Sequence, residues 1–316
     1  MAQKRVIITD YLHSFLANWL RGQGYVVDEL PDITNEELAG IIHQYHGLAL
    51  STKIKVTPAL LDRAPKLEFI ARAGSGMENI DVAEARVRGI HVVSSPEGNA
   101  NAVGEHAIGL LLALMNNIAR SDREIRSGVW RREENRGFEL MGRTVGIIGY
   151  GHTGRAFASK LKGFGVYVLA HDKYVSGFGD GQVEEVGQEQ LLMESDVISF
   201  HLPLNAETHH YCNADFLRRC RKGAWILNTS RGKVVDSAAV LQALESGHLR
   251  GAALDVFENE QFYALEGRDK EIMYRLSVRP DTVLTPHVAG WTMESYLKLS
   301  SVLAEKLSAL GLSCEE

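Results

Sequence analysis

The segment Gly149-Tyr150-Gly151-His152-Thr153-Gly154 has the spacing of a G-x-G-x-x-G turn. A strand-like run, Val145-Gly146-Ile147-Ile148, precedes it, and a helical segment over residues 155–164 follows. In that setting each glycine has a task. Gly149 permits the tight turn, Gly151 lets backbone approach a pyrophosphate, and Gly154 lets helix and strand pack closely. The first helical amides, near His152 and Thr153, then point at the phosphates. Asp172 ends the next strand, 18 residues after Gly154. A carboxylate there accepts hydrogen bonds from a ribose 2′-hydroxyl and repels a 2′-phosphate, so the pattern predicts NAD in preference to NADP. The adjacent Lys173 softens that preference.

The elements that must hold this turn form two alternating series. In the first, strands are expected at residues 4–9, 25–28, 47–51, 67–72 and 90–93, with helices at 11–22, 35–44, 58–64 and 82–88. A long helix follows from about residue 100 to 120. Its middle, 107–114, is apolar nearly all round, which suits burial between domains or subunits. Residues 123–140 read as a charged connector containing Trp130. The second series places strands at 144–148, 167–170, 197–200, 224–228, 252–256 and 282–284, and a last helix at 294–310. Strands separated by helices imply parallel sheets covered on both faces. The expected fold is therefore α/β with two doubly wound parallel-sheet domains. One is a flavodoxin-like substrate domain, residues 1–98 plus 291–316; the other is a Rossmann NAD-binding domain, residues 99–290. The first would be discontinuous if the last helix returns to it.

A chain of 316 residues, 45% of them apolar, suits two domains with full cores. The net charge of −6 argues against nucleic acid or an anionic membrane as the main partner. Cys212, Cys220 and Cys314 include no C-x-x-C pair, which points to free thiols in a reducing cytoplasm and to no structural metal. The short apolar run Val6-Ile7-Ile8 behind the basic start reads as a strand rather than a signal peptide, and no membrane-length apolar run occurs.

Seven ordered stretches resemble the D-isomer-specific 2-hydroxyacid dehydrogenases, and its phosphoglycerate dehydrogenase-like members in particular. They are Arg72-Ala73-Gly74-Ser75-Gly76-Met77-Glu78-Asn79-Ile80-Asp81, the run from Asn99 to Glu105-His106, the glycine turn, His201-Leu202-Pro203-Leu204, Asn228-Thr229-Ser230-Arg231-Gly232, Ala253-Leu254-Asp255-Val256-Phe257-Glu258, and Thr285-Pro286-His287. The resemblance implies a catalytic arginine, glutamate and histidine at Arg231, Glu260 and His287. None of the twelve histidines would stand out alone; the register singles out His287. Reduction of a 2-keto acid needs a hydride, which the nicotinamide supplies, and a proton on the oxygen. Arg231 would fork onto the substrate carboxylate and polarise the keto oxygen. His287 would act as general acid in reduction and base in oxidation, with Glu260 holding the imidazole and favouring its cation. Gln261 stands where the family usually has proline, at the head of a longer insert through Arg279, which leaves Glu258 as the fallback glutamate.

The resemblance further implies cofactor contacts at Ser75, Leu202, Thr229, Ser230 and Asp255, the last of these receiving the nicotinamide amide. On the substrate side it implies amides at Ser75 and Gly76, with Asn99 facing the cleft. Arg72 matches an arginine that phosphoglycerate dehydrogenases place near the substrate phosphate. A further arginine of those enzymes is replaced here by Ser51, with Lys53 close by. Their C-terminal regulatory domain is expected to be absent from a chain ending at 316, and the D-lactate dehydrogenases share the long insert. Phosphoglycerate is thus a leading substrate among 2-hydroxy acids. An NAD-sensing binding protein on the same fold, which would be expected to show a peptide-docking extension, is the alternative. Glu260 argues against a formate dehydrogenase, which would carry glutamine there. A cytoplasmic homodimer built on the long apolar helix is expected.

Overall fold

The computed structural model describes residues 3–311, and Cys314 lies outside the described residues. The strands, in chain order, are β1 (Arg5–Ile8), β2 (Val26–Glu29), β3 (Gly47–Leu50), β4 (Phe69–Arg72), β5 (His91–Ser94), β6 (Thr144–Ile148), β7 (Tyr167–His171), β8 (Val183–Glu185), β9 (Val197–Phe200), β10 (Ala224–Asn228), β11 (Leu249–Leu254) and β12 (Thr282–Leu284). The helices are α1 (Ser14–Gly22), α2 (Asn35–Ile41), α3 (Pro58–Leu61), α4 (Val82–Val87), α5 (Pro96–Met115), α6 (Ile118–Arg126), α7 (His152–Leu161), α8 (Gln188–Glu194), α9 (Ala214–Arg219), α10 (Ser237–Glu245), α11 (Gly267–Val278) and α12 (Met293–Ala309). The chain forms two compact units. One holds the described residues up to Ala100 and those from Trp291 onward; the other is Asn101–Gly290.

In the first unit the parallel strands run in the order β2-β1-β3-β4-β5, the flavodoxin-like arrangement. Alternate strand residues feed opposite faces. Ile7, Leu48, Leu50 and Ile70 enter one core, and Val6, Ile8, Ala49, Phe69 and Ala71 the other. The second face is covered by Leu16, Ala17 and Leu20 of α1 and by Leu299, Leu303, Ala304 and Leu307 of α12. The last helix does return to the first sheet. Gly98 allows this, since a Cβ there would meet the α12 backbone at Leu299 at 2.8 Å.

The second unit has the strand order β12-β11-β10-β9-β6-β7-β8, all parallel. The order reverses at β6, which pairs with β7 on one side and β9 on the other. Ligands of such sheets bind beyond the carboxyl ends of the strands at that switch. Two cores flank the sheet. Ala107, Leu110, Leu111 and Leu114 of α5 are buried in one of them, against Val145 and Ile147 of β6. One side of the apolar stretch is thus taken up by this unit's own core, while Ile108 and Leu112 are only partly buried.

Several expected boundaries shift. The long helix begins at Pro96, not near residue 100, because Pro is tolerated in a first helical turn where its missing N–H costs nothing. It stops at Met115. Asn117, at φ 54°, breaks the run, and α6 leaves at 63° over part of the expected connector. The insert after Gln261 contains α11, with Leu276 fully buried. The edge strand β8, Val-Glu-Glu, has too little alternation to be read from sequence. Among the described residues no single helix is long and apolar enough to cross a membrane.

Leu303 of α12 is fully buried. Leu303→Ala should cost about 2–5 kcal/mol by loss of burial and creation of a cavity, whereas Met293→Ala, at an 85% exposed position, should be nearly silent. Urea unfolding of both variants checks this.

Candidate active site

Every candidate of the second unit follows the carboxyl end of a strand. The glycine turn follows β6, Asp172 follows β7, Leu202 lies just beyond β9, and Thr229–Arg231 directly follow β10. Asp255 follows β11, and His287 stands three residues beyond β12. The three glycines have distinct environments. Gly149, at φ 91°, would drive a Cβ into the carbonyl of His201. A Cβ on Gly154 would strike the carbonyl of Gly149. Only Gly151 faces open space, with nothing within 4 Å of a Cβ. The turn is therefore closed where helix meets strand and open where a phosphate would approach. It leads into the ten-residue helix α7, whose first amides lack intrahelical acceptors. This is a good fit for a dinucleotide.

The Asp172 carboxylate accepts from the N–H groups of Tyr150 at 2.7 Å, Tyr174 at 2.8 Å and Val175 at 3.0 Å. It ties the glycine turn to the end of β7 and keeps acceptor capacity for a ribose hydroxyl. Lys173 is drawn away, its Nζ 2.6 Å from Glu207, which also accepts from Tyr174 Oη at 2.6 Å. Sequence gave no signal for Glu207. On the inner side, Thr229 and Ser230 are each 8% exposed, and Ser230 Oγ donates to Asn228 Oδ1 at 2.7 Å. Leu202 is half-buried.

His287 Nδ1 lies 2.9 Å from Glu260 Oε2, with both side chains nearly half exposed. The hydrogen bond and charge of Glu260 raise the imidazole pKa above its ordinary value. They outweigh burial and the opposing charge of Arg231. Glu258 is committed elsewhere, to His210 Nε2 at 2.6 Å and to the N–H of Ser237 at 2.9 Å. Of the two glutamates, Glu260 is the one paired with His287. Gly232 carries the Arg231 turn close to this segment, since a Cβ there would overlap the Phe257 carbonyl. Arg231 Nη1 donates to the Ser230 carbonyl at 2.8 Å.

The Asp255 side chain is fully buried just beyond β11. The carboxylate accepts from Thr285 Oγ1 at 2.6 Å and from the N–H groups of Val288 and Ala289 at 2.9 Å each. Burial works against its charge, but these bonds and that of His106 prevail and hold its carboxyl below the usual range. Among other histidines, burial pushes His201 down to about 3, so it is a neutral packed group. Cys212 and Cys220 are buried and unbridged, and burial lifts the Cys220 thiol to about 12, too high for a nucleophile.

In the first unit, Ser75 and Gly76 are half-buried in the turn after β4, and Ser75 Oγ donates to Asn99 Oδ1 at 3.2 Å. Arg72 differs from expectation: only 6% exposed, it sends Nη1 back to the Ala73 carbonyl beneath that turn. Lys53 donates to the Pro31 carbonyl. Ser51 gives its N–H to Asp10 Oδ2 at 2.8 Å.

Comparison with known proteins identifies the family. The family model described as "D-isomer specific 2-hydroxyacid dehydrogenase, NAD binding domain" matches residues 108–289. A hydroxypyruvate reductase of Thermotoga maritima is 34% identical over 97% of this chain and 98% of its own length. A D-3-phosphoglycerate dehydrogenase of Archaeoglobus fulgidus is 33% identical over 96% of this chain, which spans only 56% of that protein. The crystal structure of an Aquifex aeolicus D-lactate dehydrogenase with NAD and lactic acid superposes with a TM-score of 0.83 at 25% identity. That match covers 98% of this chain and 95% of the other. The chain belongs to the D-isomer specific 2-hydroxyacid dehydrogenase family and is an NAD-dependent oxidoreductase.

Proposed function

We propose that the chain interconverts a small, unphosphorylated 2-keto acid and its D-2-hydroxy acid, with His287 as the proton donor in reduction. The observation that carries this is the Glu260–His287 pair at 2.9 Å in a unit that also bears the Arg231 turn. NAD, held by the Gly149–Gly154 turn and Asp172, with Leu202, Thr229 and Ser230 along its course, supplies the hydride when bound. Glu260 favours the charged imidazole by its hydrogen bond and its charge. His287 then gives its Nε2 proton to the keto oxygen as negative charge develops there, and Arg231 receives the substrate carboxylate. In oxidation the neutral imidazole takes the proton back. Ser75, Gly76 and Asn99 are the substrate-side groups of the first unit, and Ser75 also serves the cofactor.

The choice of an unphosphorylated acid rests on charge. Phosphoglycerate carries a dianionic phosphate and calls for a cation near the strand ends of the first unit. There Arg72 is buried under its own turn, Lys53 is turned to Pro31, and Ser51 is bonded to the carboxylate of Asp10. Those features support glyoxylate, hydroxypyruvate or pyruvate instead. The protein acts as a cytoplasmic homodimer in this reading. The exposed apolar side chains Ile118, Ile125 and Trp130, which are 54%, 55% and 80% accessible, support the dimer.

NADH oxidation with glyoxylate, hydroxypyruvate, pyruvate and phosphohydroxypyruvate tests the proposal. At least one unphosphorylated acid should be turned over in preference to phosphohydroxypyruvate. His287→Ala should reduce that rate by about a hundredfold or more. Preference for the phosphorylated substrate, or no turnover with any of them, would contradict it. Asp172→Asn keeps an acceptor for Tyr150 but removes the charge that repels a 2′-phosphate. The ratio of kcat/KM for NADPH over NADH should rise by about tenfold, equivalent to about 1.4 kcal/mol. An unchanged ratio would remove Asp172 from cofactor choice.

A further inference from the structure

His287 has a backbone φ of 55°, in the left-handed region that few non-glycine residues adopt. Its own N–H reaches back to the Asp255 carbonyl at 2.7 Å. The next two amides, of Val288 and Ala289, bind the Asp255 carboxylate. On the other side of the histidine, Thr285 Oγ1 binds the same carboxylate at 2.6 Å. Asp255 thus grips the loop both before and after His287.

One further group reaches this grip from α5. His106 Nε2 lies 3.2 Å from Thr285 Oγ1 and 3.5 Å from Asp255 Oδ1. Proton counting fixes the direction of the first contact. The Thr285 hydroxyl has a single proton, and the 2.6 Å bond to a carboxylate uses it. Thr285 Oγ1 can therefore only accept from His106, so the imidazole carries its hydrogen on Nε2. His106 donates into the hydroxyl and faces the buried carboxylate. It is the side chain that α5 contributes to a chain running from His106 through Thr285 to Asp255 and the loop of His287.

We propose that His106 is a positioning residue: by donating from Nε2 to Thr285, it fixes the Thr285–Asp255 bond and so holds the strained loop that presents His287. It touches neither substrate nor cofactor in this role. The kinetic part of the test rests on the proposed reaction, in which His287 moves the proton; the structural part does not. A donor at that point is what matters, so a glutamine, whose amide reaches about as far as Nε2, should substitute for the histidine and a leucine should not.

The test measures His106→Leu and His106→Gln by steady-state kinetics with NADH and a turned-over 2-keto acid, and by crystal structure. In His106→Leu, kcat should fall by about tenfold or more while KM for NADH stays within about twofold, the pattern of a group misplaced at the chemical step. His106→Gln should recover to within about threefold of wild type. The His106→Leu crystal structure should show His287 leaving positive φ or separating from Glu260. Wild-type kcat in His106→Leu, or a glutamine variant no better than leucine, would overturn the proposal. If His106→Leu fails to fold, Thr285→Val deletes the same link from the other end and should show the same kcat loss. If the wild-type protein turns over no 2-keto acid, the reaction reading falls but the crystal structures still decide. An undisturbed loop at residues 285–289 in His106→Leu would then refute the positioning role.

Discussion

A charge taken wholly out of water underlies the geometry of the second unit. The carboxylate of Asp255 is fully buried, and a buried carboxylate without partners would take a proton instead of remaining charged. It stays charged because the loop after β12 closes around it with a hydroxyl and two amides. Removing either side would leave the other uncompensated, which typically costs several kcal/mol. The backbone strain at His287 is held in place by that mutual need. The imidazole is thereby fixed beside Glu260, which adjusts its charge, while Asp255 adjusts its place.

The cofactor end is governed by a different constraint, which is space. Gly149 and Gly154 are glycine because a side chain would collide with a neighbouring carbonyl, and Gly151 borders open room. Asp172 links the two ends of this arrangement. It accepts the Tyr150 amide inside the turn and stands at the end of β7, so the glycine turn is tied to that strand end. Glu207 occupies Lys173, the cation that follows directly, in an ion pair. The pairing of β6 with β7 sets the glycine turn and Asp172 at the ends of neighbouring strands.

Much of this was legible in the residues. The glycine turn could be read because its flanks confirm it, and the strands because buried parallel strands are continuous apolar runs. Glu260 and His287 came from the register of several motifs, and the structure brings them together. Less legible was anything set by tertiary bonding. Nothing in Ala253-Leu254-Asp255 tells that the carboxylate also binds the loop that follows β12. Nor does the run Arg72-Ala73-Gly74 tell that the Arg72 guanidinium donates to the Ala73 carbonyl. His106 resembled any half-buried helical histidine, because its partner Thr285 lies 179 residues away in the chain. The break at Asn117 and the polar edge strand β8 carry no periodic signal at all.

The central claim is that Glu260, and not Glu258, charges His287 for proton donation. The most direct measurement is an NMR titration of the His287 imidazole in the wild-type protein and in the Glu260→Gln and Glu258→Gln variants. Because Glu260 stabilises the cation, the wild-type pKa should lie above the ordinary value of about 6.5, so the acid form persists to higher pH. Glu260→Gln should lower it and so confine the acid form to lower pH, and Glu258→Gln should leave it in place. A wild-type value at or below the ordinary one, or a value indifferent to Glu260→Gln, would contradict the account.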